Sequence, residues 1–286
     1  MTVIGAGAWG SALAAALGAK IISSRAMAQE IEKALEDEYL IFALRAQDTA
    51  AWLDANFKDR GQKILLASKG IDAKKLLFLH EIYSKHLDIS RICTLTGPSF
   101  ALEFKNKLPT ALVISGKDPE LCKYFADIFP SFVKAYTDSD LIGAEICGAY
   151  KNIIAIASGI CDALKLGNNA RASLIARGLV EITRFGKHFG AKEATFIGLS
   201  GAGDLFLTAS SQLSRNYRTG FFLGQGDDLD TAIKKLNNEV AEGVATSFAI
   251  TQIASREGLY TPIASQIAAI LQGKDIHKSL EELLSR

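Results

Sequence analysis

Residues 2–17 read TVIGAGAWGSALAAAL, and this stretch decides the fold. Thr2–Ile4 is a short apolar strand, Gly5-Ala6-Gly7-Ala8-Trp9-Gly10 is G-x-G-x-x-G, and Ser11–Leu17 continues as an alanine-rich helix. Each glycine has its own physical task in a strand–turn–helix. Gly5 permits the turn, Gly7 lets the backbone approach a pyrophosphate, and Gly10 lets the helix pack close to the sheet. The helix N-terminus then presents N–H groups that no intrahelical carbonyl takes up, a natural seat for phosphate. A glycine turn made for packing alone is the competing reading, and G-x-G-x-x-G without its context would be weak. Directly after a strand and opening a helix, it points to a dinucleotide.

Working outward, Lys20–Ser23 is a second strand. The acidic residue that would bind an NAD ribose about 20 positions beyond the glycines is missing, and Ser23-Ser24-Arg25 stands there instead. Hydroxyls followed by a guanidinium suit a 2′-phosphate, so NADPH is favoured over NADH, against the plainer reading of Arg25 as a solvated strand end. Ala26–Glu38 carries a charged helical pattern, Tyr39–Leu44 is an apolar strand, Gln47–Asn56 an amphipathic helix and Lys63–Ala67 a buried strand. Leu76–His86 reads as a helix, Arg91–Thr96 and Pro109–Ser115 as strands, Pro119–Phe129 as a helix and Phe132–Tyr136 as a last strand. Helices and strands alternating at this spacing predict an α/β, Rossmann-type, doubly wound and mainly parallel sheet. Sites in such sheets gather at the carboxyl ends of strands, where Gly5–Gly10, Lys69 and Gly97–Ser99 all fall.

From residue 141 only helices are expected: Leu141–Leu164, Asn169–Phe189, Leu205–Ser211, Arg218–Leu223, Leu229–Asn237, Val244–Glu257, Pro262–Leu271 and Ser279–Leu284, with Gly198–Asp204 rich in turns. The expected domains are therefore residues 1–139, dinucleotide-binding, and 140–286, an all-helical substrate and catalytic domain. Leu141–Leu164 has three charged side chains, Glu145, Lys151 and Asp162. Ala144, Gly148, Ala155 and Ser158 share the helical face of Lys151, leaving room there for something other than a side chain. Asn152 points to the adjacent edge. A membrane span is disfavoured by Lys151, Asn152 and several glycines, and a snorkelling lysine on a core helix is the bland alternative.

Composition excludes other classes. Thirty-two basic and 31 acidic residues leave a net charge of +1, no footprint for nucleic acid or a membrane surface. Cys93, Cys122, Cys147 and Cys161 lack CxxC or histidine spacing, so no metal and no disulfide framework is expected. His80, His86, His188 and His277 read as packing or surface residues. With no basic leader at Met1, a cytoplasmic protein is expected. The oligomeric state stays open, a homodimer included.

In the helical half, four spots exceed architecture. They are Lys151-Asn152, Gly201-Ala202-Gly203-Asp204, Ser214-Arg215-Asn216-Tyr217-Arg218 and Glu239–Gly243. For Asp204 an N-cap is the plain alternative, and for Arg215 a solvated loop. An arginine beside hydroxyl and amide groups can also hold a phosphate through charge-assisted hydrogen bonds.

Together with Ser68-Lys69-Gly70, Thr96–Ala101 (TGPSFA), Arg171–Leu179 and Glu242-Gly243, these motifs make the chain resemble the bacterial NAD(P)-dependent glycerol-3-phosphate dehydrogenases, nearly end to end. The resemblance implies reversible hydride transfer between NADPH or NADH and dihydroxyacetone phosphate, a small-molecule substrate seated between the domains. The product, sn-glycerol 3-phosphate, serves phospholipid synthesis. It implies Lys151 as general acid/base, with Asp204 and Lys69 in the catalytic set. Substrate positions are Lys69, Gly97, Ser99, Lys151, Asn152, Asp204, Ser214, Arg215 and Asn216. Cofactor positions are Gly5, Gly7, Ala8, Trp9, Gly10, Arg25, Lys69, Ala101, Arg215, Val240 and Glu242. Lys69 and burial would lower the pKa of Lys151, and Asp204 would oppose that. One departure stands out: only Ala26–Glu38 separates the second strand from Tyr39–Leu44, shorter than the family pattern, and Arg45 replaces a usual proline. Two other readings remain at this point, a reductase of the same plan acting on another hydroxy acid and an NADP(H)-sensing protein without turnover.

Overall fold

The structure is a computed structural model that describes residues 1–238 and 241–285. It divides into two compact units, residues 1–72 with 77–145 and residues 73–76 with 146–286.

In the first unit, β1 (Thr2–Ile4), α1 (Ala8–Leu17), β2 (Lys20–Ile22), α2 (Ala28–Ala34), β3 (Tyr39–Phe42), α3 (Ala46–Asn56) and β4 (Lys63–Leu66) alternate. A two-stranded antiparallel hairpin, β5 (Ile71–Asp72) and β6 (Leu77–Phe78), leads to α4 (Leu79–Tyr83). Then come β7 (Ile92–Thr96), α5 (Ala101–Lys105), β8 (Thr110–Gly116), α6 (Pro119–Asp127) and β9 (Val133–Asp138). The main sheet has seven strands in the order β2-β1-β3-β4-β7-β8-β9. All pairs are parallel except β7 with β8. The short segment after β2 still carries α2, and β2 and β3 both pair with β1.

Alternation along each strand builds two cores. Leu40 and Phe42 face α2, α3 and α4 through Ile31, Leu53 and Tyr83. Ile41 faces α1, α5 and α6 through Leu13, Phe104 and Phe125. Layers on both faces explain why these strands read as unbroken apolar runs.

The expected helix Leu76–His86 starts later, at Leu79. Leu76 sits at φ 53°, outside helical space, and the Glu81 carboxylate takes up the backbone N–H of Phe78 at 2.7 Å, closing the helix start there. Strands of two residues carry no readable period, so the hairpin was not legible in the sequence, and neither was the five-residue α5.

α7 (Leu141–Ala163) begins in the first unit and passes into the second after Glu145. By length and composition it is apolar enough to cross a membrane, but 94% of its most apolar window is buried inside the protein. The second unit continues with α8 (Asn168–His188), α9 (Glu193–Ile197), a π-helical turn (Leu199–Gly203), α10 (Asp204–Ala209), α11 (Arg215–Gly224) and α12 (Leu229–Lys235). It ends with α13 (Glu242–Glu257), α14 (Pro262–Leu271) and α15 (Ile276–Leu284). Its described residues hold no strand.

α11 begins three residues before the sequence pattern predicts, because the Ser214 hydroxyl accepts from the Tyr217 N–H at 3.2 Å and caps it. α7 and α11 cross at backbone distance. A Cβ on Gly220 would lie 1.8 Å from the Ile156 carbonyl oxygen, and one on Gly159 2.0 Å from that of Tyr217.

Candidate active site

In the first unit the glycine turn has the predicted division of labour. Gly5 sits at φ +116°, and a Cβ on it would meet the Ala43 carbonyl oxygen at 2.4 Å. On Gly10 a Cβ would lie 1.9 Å from the Gly5 carbonyl oxygen, whereas on Gly7 it would meet nothing within 4 Å. Gly5 and Gly10 thus serve packing, while Gly7 and Ala8 are exposed. Gly7 is the N-cap of α1 and offers no side chain to the first helical N–H groups. An exposed helix start without a side-chain cap, reached across bare backbone, fits a pyrophosphate. Trp9 packs edge-on against Phe104 with ring centroids 5.0 Å apart, tying the turn to α5, whose first residue is Ala101. Arg25 is exposed just past β2, its backbone N–H donating to the Ser23 hydroxyl at 3.2 Å.

The carboxyl ends of β4 and β7 are joined by Lys69. Its ammonium donates to the Gly97 carbonyl at 3.2 Å and to the Ser99 hydroxyl at 3.5 Å, and that hydroxyl donates to the same carbonyl at 3.0 Å. β1, β3, β4 and β7 run parallel as neighbours, so these groups and the glycine turn share one sheet edge.

In the second unit the Lys151 ammonium donates to Asp204 Oδ1 at 2.5 Å and to Thr208 Oγ1 at 3.0 Å. Lys151 is 7% exposed and Asp204 1%. A lysine this deep needs a counter-charge to stay ionised, which settles its snorkelling alternative. Asp204 is the first residue of α10, but Gly203 occupies the cap position, so the carboxylate serves the lysine and not the helix start. Thr208, four residues on and hence on the same face, was missed by the sequence reading. The i,i+4 spacing from Asp204 was the signal. Part of the small-residue stripe has another use than room for a ligand: the Ser158 hydroxyl donates to the Ala209 carbonyl at 2.6 Å, seating α10 against α7.

Asn152 and Asn216 are both buried, and Asn216 Nδ2 donates to Asn152 Oδ1 at 2.9 Å. Asn216 Oδ1 accepts from the backbone N–H of Gly243 at 2.8 Å, and Asn152 Nδ2 reaches the Gly148 carbonyl at 3.4 Å. Ser214 caps α11, and Arg215 is its first, exposed residue. Glu242 is half-buried at the start of α13; Val240 lies outside the described residues.

Two further buried groups carried no sequence signal. Glu181 accepts from the Tyr150 hydroxyl at 2.8 Å and from the backbone N–H groups of Ile263 and Ala264 at 2.8 and 2.9 Å, at the start of α14. Burial still raises its carboxyl pKa. In the first unit, His80 was expected to play only a packing or surface role. It forms a buried pair with Glu145, Nδ1 to Oε2 at 2.6 Å, and its backbone N–H donates to Oε1 at 3.0 Å.

Two family models match most of the chain. The model of the NAD-dependent glycerol-3-phosphate dehydrogenase N-terminus matches residues 26–122, and that of the C-terminus residues 140–282. A glycerol-3-phosphate dehydrogenase [NAD(P)+] of Campylobacter jejuni is 56% identical over 294 aligned residues, covering 100% of this chain and 99% of the relative. One from Sulfurimonas denitrificans is 51% identical over 291, covering 99% and 98%. Among solved structures, glycerol-3-phosphate dehydrogenase of Coxiella burnetii superposes with a TM-score of 0.90 at 30% identity, covering 100% of this chain and 98% of that one. GPD1 of Saccharomyces cerevisiae shares the fold, with a TM-score of 0.82 at 20% identity and coverage of 100% and 99%.

Proposed function

The chain belongs to the NAD-dependent glycerol-3-phosphate dehydrogenase family, and from that premise we propose how its residues divide the work. It is an NAD(P)-dependent oxidoreductase that reduces dihydroxyacetone phosphate to sn-glycerol 3-phosphate for phospholipid synthesis. The buried Lys151–Asp204 pair is the observation that carries the mechanism.

Bound NAD(P)H supplies the hydride. As negative charge grows on the substrate ketone oxygen, the Lys151 ammonium stabilises it by hydrogen bonding and then gives it a proton. In the reverse direction neutral Lys151 takes the hydroxyl proton back. Asp204 and Thr208 hold Nζ in one place, so little reorganisation accompanies charge development. Lys69, fixed by Gly97 and Ser99, adds a second cation for the substrate. Arg215 is the phosphate clamp, an exposed guanidinium suited to charge-assisted bonds with a dianion. Remote binding of that phosphate positions the ketone.

The exposed helix start at Gly7–Ala8, with Gly5, Trp9, Gly10 and Ala101 shaping it, holds the pyrophosphate, and Glu242 with Val240 contributes to the cofactor site. Arg25 with Ser23 and Ser24 favours NADPH, since no carboxylate stands there to repel a 2′-phosphate or bind a ribose. Residues 1–139 carry the cofactor and 140–286 the substrate chemistry. Lys151 and Asn152 on α7, the one helix both long and apolar enough to cross a membrane among the described residues, favour a cytoplasmic enzyme.

Purified protein mixed with dihydroxyacetone phosphate is expected to oxidise NADPH faster than NADH, followed by loss of nicotinamide absorbance. No turnover with either cofactor would overturn the reading. A preference for NADH would overturn only the role of Arg25.

A further inference from the structure

Ser23–Met27 alone join β2 to α2, so Arg25 stands on a tight turn. The Ala26 N–H donates to the Ser23 carbonyl at 3.1 Å, which makes Ser23–Ala26 a β-turn with Ser24 and Arg25 at its central positions. One planar peptide group lies between those two residues, and both of its ends are held. Its N–H, from Arg25, donates to the Ser23 hydroxyl at 3.2 Å. Its carbonyl, from Ser24, accepts from the Trp52 indole N–H at 2.9 Å. The first bond is local to the turn, whereas the second comes from α3, 28 residues along the chain. Trp52 has little freedom of its own: its ring meets Phe42 edge-on with centroids 5.7 Å apart and packs on the same core as Ile22 and Ala26. An indole N–H can only donate and a carbonyl can only accept, so the contact fixes one orientation of the peptide. Turned over, the peptide would set N–H against N–H and put Arg25 in the left-handed region, which it does not occupy.

We propose that Trp52 is a positioning residue for cofactor choice, its indole N–H holding the Ser24–Arg25 peptide so that the Arg25 guanidinium is ready for the 2′-phosphate of NADPH. Trp52 acts through Arg25, and the inference rests on the reading of Arg25 as the 2′-phosphate contact. An arginine on a fixed backbone loses less freedom on closing over a phosphate than one whose backbone must first be ordered. Cofactor preference is thereby tied to α3, an element outside the glycine turn and outside the strand that carries Arg25.

Trp52→Phe keeps an aromatic ring against Phe42 and removes the N–H. NADPH and NADH differ only in the 2′-phosphate, so the ratio of their Kd values, taken by titration calorimetry, isolates that contact from the rest of the site. In Trp52→Phe the Kd for NADPH is expected to rise about 3- to 10-fold while that for NADH stays within about twofold. Arg25→Ala should shift the ratio in the same direction, and adding Trp52→Phe to it should move the ratio by less than about a further twofold. Equal weakening of both cofactors in Trp52→Phe would mean a purely structural role and overturn the inference. So would multiplicative shifts in the double variant. If Arg25→Ala moves the ratio and Trp52→Phe does not, the inference alone falls. If Arg25→Ala leaves the ratio unchanged, the reading of Arg25 falls and takes the inference with it.

A second readout needs no substitution at Trp52 and serves if Trp52→Phe does not fold. The chain has two tryptophans, Trp9 and Trp52, hence two indole N–H resonances, told apart by the loss of one in Trp9→Phe. On saturation of the unsubstituted protein, the Trp52 resonance should move further with NADPH than with NADH, because only NADPH draws on Arg25 and the peptide that Trp52 holds. The Trp9 resonance, in the glycine turn, should move alike with both. Equal displacement of the Trp52 resonance by the two cofactors overturns the inference.

Discussion

In the first unit the groups assigned to the cofactor are mostly backbone N–H groups bared by glycine on an exposed turn. In the second they are side chains, of which Lys151, Asn152, Asp204, Ser214 and Asn216 are buried and each has a protein partner. Backbone sites depend on the absence of a Cβ at one or two positions and tolerate most changes around them. Side-chain sites depend on partners brought from far along the chain, 53 residues for Lys151 and Asp204 and 64 for Asn152 and Asn216. Substitutions should therefore fail differently in the two units.

Lys151→Met gives the largest expected effect, a fall in kcat of about 10³-fold from loss of proton transfer and oxyanion stabilisation, with NADPH binding nearly unchanged by fluorescence titration. The change also strands Asp204 without its cation, so Lys151→Met/Asp204→Asn should recover stability but no activity. Recovery of rate in that double variant would remove Lys151 from proton transfer.

Next is a pair within the glycine turn. Gly10→Ala forces a Cβ onto the Gly5 carbonyl and should cost about 1–3 kcal/mol in urea denaturation together with most cofactor affinity. Gly7→Ala has open space around the new methyl, so Tm should hold while the Kd for NADPH rises about tenfold or more as the methyl obstructs the pyrophosphate. Equal losses of stability in both variants would erase the distinction between a packing glycine and a binding one.

Arg25→Ala should raise KM for NADPH about tenfold, leave KM for NADH unchanged and leave Tm unmoved, since the side chain is exposed.

The smallest effect concerns His80. Burial pulls its pKa down, but the charge and hydrogen bond of Glu145 outweigh that, and the net shift is upward. A histidine with a raised folded pKa contributes stability that is fully present below its unfolded value near 6.5 and fades as pH rises through the folded value. Urea melts at about pH 6 and about pH 8.5 should therefore show His80→Gln losing less stability than wild type over that interval. Equal losses would mean that folding does not change the protonation of His80 over that interval.

The same contrast explains what was legible beforehand. Strand–turn–helix order, the glycine tasks and the sheet came from local pattern, because an apolar run of four to six residues between turns has few alternatives. Lys151 stood out as a charge on an apolar helix. The Lys151–Asp204 partnership was reached by resemblance, and Thr208 was overlooked although it lies one turn from Asp204. The hydrogen bonds joining Asn152, Asn216 and Gly243 had no local signature, since they depend on how α7, α11 and α13 meet. His80 read as packing or surface because Glu145 lies 65 residues away. The hairpin β5–β6 and the short α5 and α9 fell below the length at which periodicity speaks.

The glycine crossing of α7 and α11 has a consequence in time. Where Ile156 and Gly220 meet backbone to backbone, no rotamer change can open a gap, and water reaches the amides beneath only when the two helices part. In heavy water the N–H groups of α7 from about Ile153 to Ile160 should therefore keep their protons longest, exchanging by sub-global or global opening. The solvent clock of the second unit would be set at a crossing that carries no chemistry of its own.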